Sequence, residues 1–272
     1  MSIVIPMGRI EPALDLQLDA LLNQPTEVDF EIILSHNMPT PEGRRCLEAM
    51  LARRSDPRIR FVEATGRASA AHARNVGAAA AKARVLAFCD ADDVVHPGWI
   101  DAMYEALDVY DAVTGEVVEA VPPGQEHWRP PATPGKLPEF HGTPYILSGN
   151  LGITRRAFET VEGFDERLTR CEDIAIGWKL QNTGHTLGYA PKAKLDYHHR
   201  AGLAKMLKQH FQYGRGMAEV LANYSNPLAT KREGGGLQVL KANGQQHRRT
   251  PVSIARRGAI ALGRLVGLVV KP

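Results

Sequence analysis

Apolar and polar residues alternate in blocks from the start of the chain. Ile3-Val4-Ile5 is a short β-branched run closed by Pro6 and Gly8, and Leu14, Leu18, Leu21 and Leu22 then recur at helical spacing. Phe30 to Leu34 predicts a second strand, closed by Ser35-His36-Asn37, and Glu42 to Arg54 predicts a helix with Leu47, Met50 and Leu51 on one face. Ile59 to Val62 predicts a third strand, and the alanine-rich stretch Ala68 to Lys82 a further helix. Val85 to Cys89 holds no polar residue, as expected of a strand covered on both faces. Such βα alternation predicts an α/β fold, a Rossmann-like, mostly parallel sheet flanked by helices, whose ligands bind beyond the carboxyl ends of the strands.

The pattern then loosens. Asp101 to Tyr110 predicts a helix and Ala112 to Val121 a strand, but Pro122 to Pro144 is a long, proline-rich, irregular segment. Its Trp128, Phe140 and His141 suit either a contact surface or a packed loop. Tyr145 to Ile153 predicts a strand, Arg156 to Val161 a short helix, Gly163-Phe164-Asp165 a turn, and Glu172 to Asn182 a helix stopped by Gly184. Leu203 to Leu221 predicts a longer helix, and polar, glycine-rich Asn223 to Thr250 a loop or disorder. In the tail, Ile254, Leu262, Leu265, Val266, Val269 and Val270 lie broadly opposite Arg256, Arg257, Arg264 and Lys271 on a helical wheel. This amphipathic basic helix, 254–271, suits peripheral contact with an anionic membrane or docking on the protein's own core. The expected organisation is a unit over 1–202, with halves 1–110 and 111–202, followed by a C-terminal helical extension over 203–272 with a flexible linker around 223–250.

Composition narrows the function classes. At 272 residues and 44% hydrophobic, the chain can bury a sizeable core. A net charge of +3 is too small, and its basic pairs too scattered, to argue for nucleic acid. Cys46, Cys89 and Cys171 form no CxxC pair, so neither a zinc site nor a disulfide framework is expected, and reduced thiols fit the cytoplasm. The opening residues lack the basic region and apolar stretch of a signal peptide, and no segment reaches the ~20 apolar residues needed to span a bilayer. The expected location is cytoplasmic, with the inner face of the membrane as the peripheral alternative.

The fourth predicted strand ends on Asp90-Ala91-Asp92-Asp93. Neighbouring carboxylates repel, so a hard divalent cation such as Mg2+ or Mn2+ accounts for them economically; the alternative is an acidic turn capping the helix from Gly98. A GxGxxG turn after the first strand, which a dinucleotide-dependent oxidoreductase needs, is absent from Pro6-Met7-Gly8-Arg9, as is the glycine-rich phosphate loop of a nucleotidyltransferase.

Several segments taken together resemble family 2 of the inverting glycosyltransferases, which have the GT-A fold. They are the opening SIVIP, Arg67-Ala68 through Ala73-Arg74-Asn75-Val76-Gly77, the FCDADD core, SGNLGITRRAFETVEGFDE from Ser148 to Glu166, Glu172-Asp173 with Trp178-Lys179-Leu180, and Tyr197-His198-His199-Arg200. They run in the family's order over most of Ile3 to Arg200.

The resemblance implies transfer of a sugar from a nucleoside diphosphate sugar to an acceptor that is a glycan, a lipid-linked glycan, a peptide or a small molecule. It implies Asp173 as general base, with Glu172 beside it holding the acceptor or raising the Asp173 pKa. Asp92 is the implied principal metal ligand, Asp90 a support for the ribose or the metal, and Asp93 a ligand or a helix cap. One of His198 and His199 is implied at the metal or diphosphate, since neighbours on a strand face opposite ways. Pro6, Asn37, Arg74 and Ala91 are the further donor-side positions, and Gly149, Asn150 and Trp178 the further acceptor-side ones. Where the family usually has a carboxylate reading the base, this chain has Ser35-His36-Asn37, which leaves the donor nucleotide open. A non-catalytic nucleotide-sugar-binding protein on the same fold is the competing reading.

Overall fold

The six residues of β1 (Ser2–Met7) are buried throughout, so both faces of the strand are covered and its apolar residues need no polar alternation. In the computed structural model of the chain, which describes residues 1–8, 13–125, 135–199, 201–230 and 251–269, β1 lies between β2 (Glu31–Asn37) and β4 (Val85–Cys89), parallel to both. β3 (Ile59–Ala64) continues the parallel set beyond β2. The helices α1 (Ala13–Leu22), α2 (Pro41–Arg54) and α3 (Ala70–Ala80) make the connections. Pro6 does not stop β1, contrary to the sequence expectation. The β1–β4 ladder ends at Val4 paired with Phe88, so the residue without an N–H falls past the last pair with β4.

With β5 (Val94–Val95), β6 (Ala112–Ala120), β9 (Asn150–Thr154) and β10 (Leu187–His198), the second half completes a mixed sheet of order β3-β2-β1-β4-β9-β6-β10-β5. β9 runs antiparallel to β4 and to β6. β10 is parallel to β6, and β5 forms the edge antiparallel to β10. The strand expected over Tyr145 to Ile153 is confined to β9. Its first residues instead pack as an irregular segment, with Tyr145 against Gly177 and the Leu147 N–H donating to Thr114 Oγ1 at 3.0 Å. α4 (Trp99–Ala106) starts and ends earlier than expected, entered from Gly98 at φ 83. The proline-rich segment contributes the small hairpin of β7 (Glu139–Phe140) and β8 (Thr143–Pro144), which no sequence periodicity predicts. Trp128 lies outside the described residues, as does Arg200.

One core layer packs Leu14 and Leu18 of α1 and Trp99 and Met103 of α4 against Ile3 and Ile5. The other face buries Val4, Ile33 and Phe88 under α3, α5 (Arg155–Thr160) and α6 (Glu172–Asn182). α7 (Leu203–Asn223) covers a smaller cluster of Phe140, Ile174, Trp178 and Val220. The expected linker is helical at its start, in α8 (Pro227–Thr230); residues 231–250 lie outside the described residues. α9 (Pro251–Val269) lies along α7, so the tail helix docks on the protein itself. The contact is backbone to backbone: a Cβ on Gly214 would sit 2.1 Å from Ile260 O, and one on Gly263 2.1 Å from Phe211 O.

Candidate active site

The carboxyl end of β4 gathers Asp90, Asp92 and Asp93, each offering an oxygen within 4.8 Å of the others. Asp93 is buried and accepts the His198 backbone N–H at 3.1 Å through Oδ1, while Oδ2 is buried without a hydrogen-bond partner. Burial and the neighbouring Asp90 push its carboxyl up to about 8. The helix-cap reading of this residue does not hold: α4 begins at Trp99, preceded by Gly98 with no side-chain cap, and Asp93 is tied to β10 instead. Three carboxylates this close, one with an unpartnered buried oxygen, are a candidate donor set for a hard cation.

Opposite this cluster, Glu172 and Asp173 form the first turn of α6, where the helix dipole favours them. Arg74 ties the two sets together. Its side chain is 4% exposed, with Nη2 donating to Asp90 Oδ1 at 2.7 Å and Nη1 to Glu172 Oε1 at 2.9 Å. Asp173 Oδ1 accepts the Ile174 N–H at 2.8 Å. Burial, reinforced by Glu172, pushes the Asp173 carboxyl up to about 7, against the opposing pull of that N–H and of Arg74.

A family model described as Glycosyl transferase family 2 matches residues 2–161. The chain belongs to this family. The pre-mycofactocin glycosyltransferase of Mycobacterium tuberculosis (strain ATCC 25618 / H37Rv) is 26% identical over 177 residues, 61% of this chain and 38% of that protein. The uncharacterized glycosyltransferase EpsJ of Bacillus subtilis (strain 168) is 39% identical over 107 residues, 39% of this chain and 28% of that protein. The chain thus aligns with well under half the length of either relative. Among solved structures, the mannosyltransferase PcManGT from Pyrobaculum calidifontis, in complex with GDP-Man and Mn2+, matches with a TM-score of 0.65 at 16% identity, over 98% of this chain and 71% of that one. S. aureus TarS 1-349, in complex with UDP-GlcNAc, matches with a TM-score of 0.59 at 16% identity, over 85% and 68% of the two chains. The shared fold is GT-A, an α/β, mostly parallel sheet flanked by helices, with C-terminal helices.

Within this family 2 chain, the Arg67 to Gly77 segment is a structural hub. Asn75 Nδ2 donates to Phe164 O and Glu166 Oε1, at 2.8 and 2.9 Å, and Asn75 Oδ1 accepts the Phe164 N–H at 3.0 Å, stitching α3 to the Gly163-Phe164-Asp165 turn. A Cβ on Gly77 would meet Val4 Cγ1 at 2.3 Å, so the glycine lets α3 lie on β1. Arg74, expected on the donor side, is held by its two ion pairs between Asp90 and Glu172. It is a buried bridge.

Other expected site residues fall differently. Gly149 faces Asp90: a Cβ there would sit 2.8 Å from Asp90 Oδ2, so the glycine makes room for that carboxylate. Asn150 is buried, with Nδ2 donating to Glu116 O and Ala193 O and Oδ1 accepting from Trp99 Nε1 at 2.8 Å. Its amide holds β6, β9 and β10 together. Trp178 is fully buried and stacked on Phe140. Asn37 Nδ2 donates to Ala64 O and Arg67 O, so contact with a base is left to its carbonyl oxygen. Pro6 and Ala91 are both buried at strand ends beside the cluster. Among the described residues neither His198 nor His199 joins the metal-competent group: His198 is exposed, and His199 pairs with Glu119.

Three tyrosines next to the acids were not foreseen. Burial raises the Tyr197 phenol, with Asp90 and Asp93 adding, and burial with nearby Asp173 raises Tyr145. Burial likewise raises Tyr213, with Tyr197 and Asp173 adding. Tyr197 stood in the motif read for its histidines, whereas Tyr213 reaches the site from α7, a placement no spacing announces.

Proposed function

We propose that this chain is an inverting, metal-dependent glycosyltransferase that moves a sugar from a nucleoside diphosphate sugar to an acceptor hydroxyl, with Asp173 as general base. The observation that carries the reading is the Arg74 bridge, which holds the donor-side acid cluster and the Glu172-Asp173 pair at one site. Asp92 and Asp90 would hold Mg2+ or Mn2+, with Asp93 behind them. Such a cation neutralises the charge on the departing diphosphate. Asp173 takes the proton from the acceptor hydroxyl as its oxygen bonds to the anomeric carbon. The bond from that carbon to the diphosphate breaks on the opposite face, and its electron pair leaves with the diphosphate. A carboxyl near pH 7 suits a base working at neutral pH. The three free thiols, with Cys46 exposed, fit a reducing, cytoplasmic setting.

UDP-GlcNAc and GDP-Man, bound by the two structural neighbours, are the first donor probes. The acceptor is a glycan, a lipid-linked glycan, a peptide or a small molecule. The test is donor hydrolysis and transfer with Mn2+ for the native chain and for Asp173→Asn. The variant should bind donor normally, read as thermal stabilisation, and lose turnover. Retention of most activity would rule out the base assignment, and donor binding with no turnover in the native chain would favour the non-catalytic, nucleotide-sugar-binding alternative.

A further inference from the structure

We propose that α9 seats the molecule on an anionic lipid surface through Ile254, Leu262, Leu265 and Leu268. This inference does not depend on the proposed activity. Self-docking and membrane contact are compatible, because the helix has a different face for each. The face on α7 centres on two glycines, with the Arg264 guanidinium lying over the Phe140 ring and reaching Met217: a Cβ on Gly263 would meet Phe211 O at 2.1 Å, and one on Gly267 Arg215 O at 2.9 Å. The four apolar side chains of the strip lie on the other side of the helix. Ile254 and Leu262 are each 57% exposed, and Leu265 and Leu268 each 62%. At 3.6 residues per turn these four fall within about 120° of the helical wheel, forming one continuous strip. No helix among the described residues is long and apolar enough to cross a membrane, so the strip suits a helix lying in the interface plane.

Charge selects the occupant. Residues 203–272 carry 12 of the chain's 33 Lys and Arg but only 2 of its 30 Asp and Glu, so the basic end is set against an acidic remainder. Arg257 is exposed at the edge of the strip, and Lys205 and Lys208 are exposed on α7. A second copy would bring the same basic segment against itself and be repelled, and a nucleic acid would leave the leucines in water. Anionic headgroups answer the cations while acyl chains cover the strip.

The test is co-sedimentation of the full chain with vesicles of phosphatidylglycerol and phosphatidylcholine, against phosphatidylcholine alone. Binding should require the anionic lipid and fall when salt is raised to about 0.5 M. The variant Leu262→Gln/Leu265→Gln/Leu268→Gln should lose about tenfold or more in vesicle affinity. Its melting temperature should stay that of the native chain, since all three side chains are exposed. The proposal is overturned if the native chain ignores anionic vesicles or if the variant binds them equally well. It is also overturned if light scattering shows a dimer that the variant converts to monomer, because the strip would then cover a second copy.

Discussion

Removing the Arg74 guanidinium would leave the Asp90 and Glu172 carboxylates facing one another without a counter-charge in a largely dehydrated site. Breaking a buried pair from one side costs about 3–5 kcal/mol, and with the Asp90 side chain 31% exposed Arg74→Met should lower the unfolding free energy by the lower end of that range or less, read from denaturant unfolding. Arg74→Lys should recover only part, since an ammonium does not reproduce the two-pronged geometry. Asp173 makes a separate prediction. Its folded-state pKa lies above that of an ordinary carboxylate, so ionising it costs the folded state, and the cost grows as pH rises from about 4 toward 7. Asp173→Asn keeps an acceptor for the Ile174 N–H and removes that cost. The stability gain of the variant over the native chain should therefore be larger at pH 8 than at pH 5, read as melting temperature. For the native chain, kcat/KM should rise with pH along an acid limb near 7.

Helix α3 carries Arg74 and Asn75, and its seat on β1 depends on Gly77. With a Cβ 2.3 Å from Val4 Cγ1, Gly77→Ala should cost roughly 1–3 kcal/mol in denaturant unfolding and reduce donor binding as Arg74 shifts. Sequence patterning located this helix, and it placed β4 and α6 at the boundaries the structure shows, because buried apolar runs and a helix with clear stops have strong local signals. It missed β5, β7 and β8, which at two residues each have no periodicity to read. It extended β9 backwards through Tyr145 to Leu147, since an apolar run buried as irregular chain looks like a strand until its neighbours are known.

For the whole molecule, linkage provides the broadest test. If the acid cluster holds the metal and the donor, Mn2+ with the matching nucleotide sugar should stabilise the fold by about 2.7 kcal/mol at a hundredfold excess over Kd. Asp92→Ala should abolish the metal-dependent part of that shift in a thermal melt, with the apo melting temperature little changed. Charge is uneven along the chain: residues 203–272 are basic and the rest acidic. α7 joins them, contributing Tyr213 beside Asp173 and a glycine face for α9.

The sequence by itself determined the βα alternation, the acids at the end of β4, the acidic pair opening α6 and the family, because each is written in contiguous residues whose spacing or order is the signal. Only the tertiary structure decided that Arg74 joins Asp90 to Glu172, that Asn150 and Trp178 serve the core, and that His199 turns to Glu119. Those outcomes are set by side chains meeting across strands distant in sequence, where burial assigns partners that local pattern cannot.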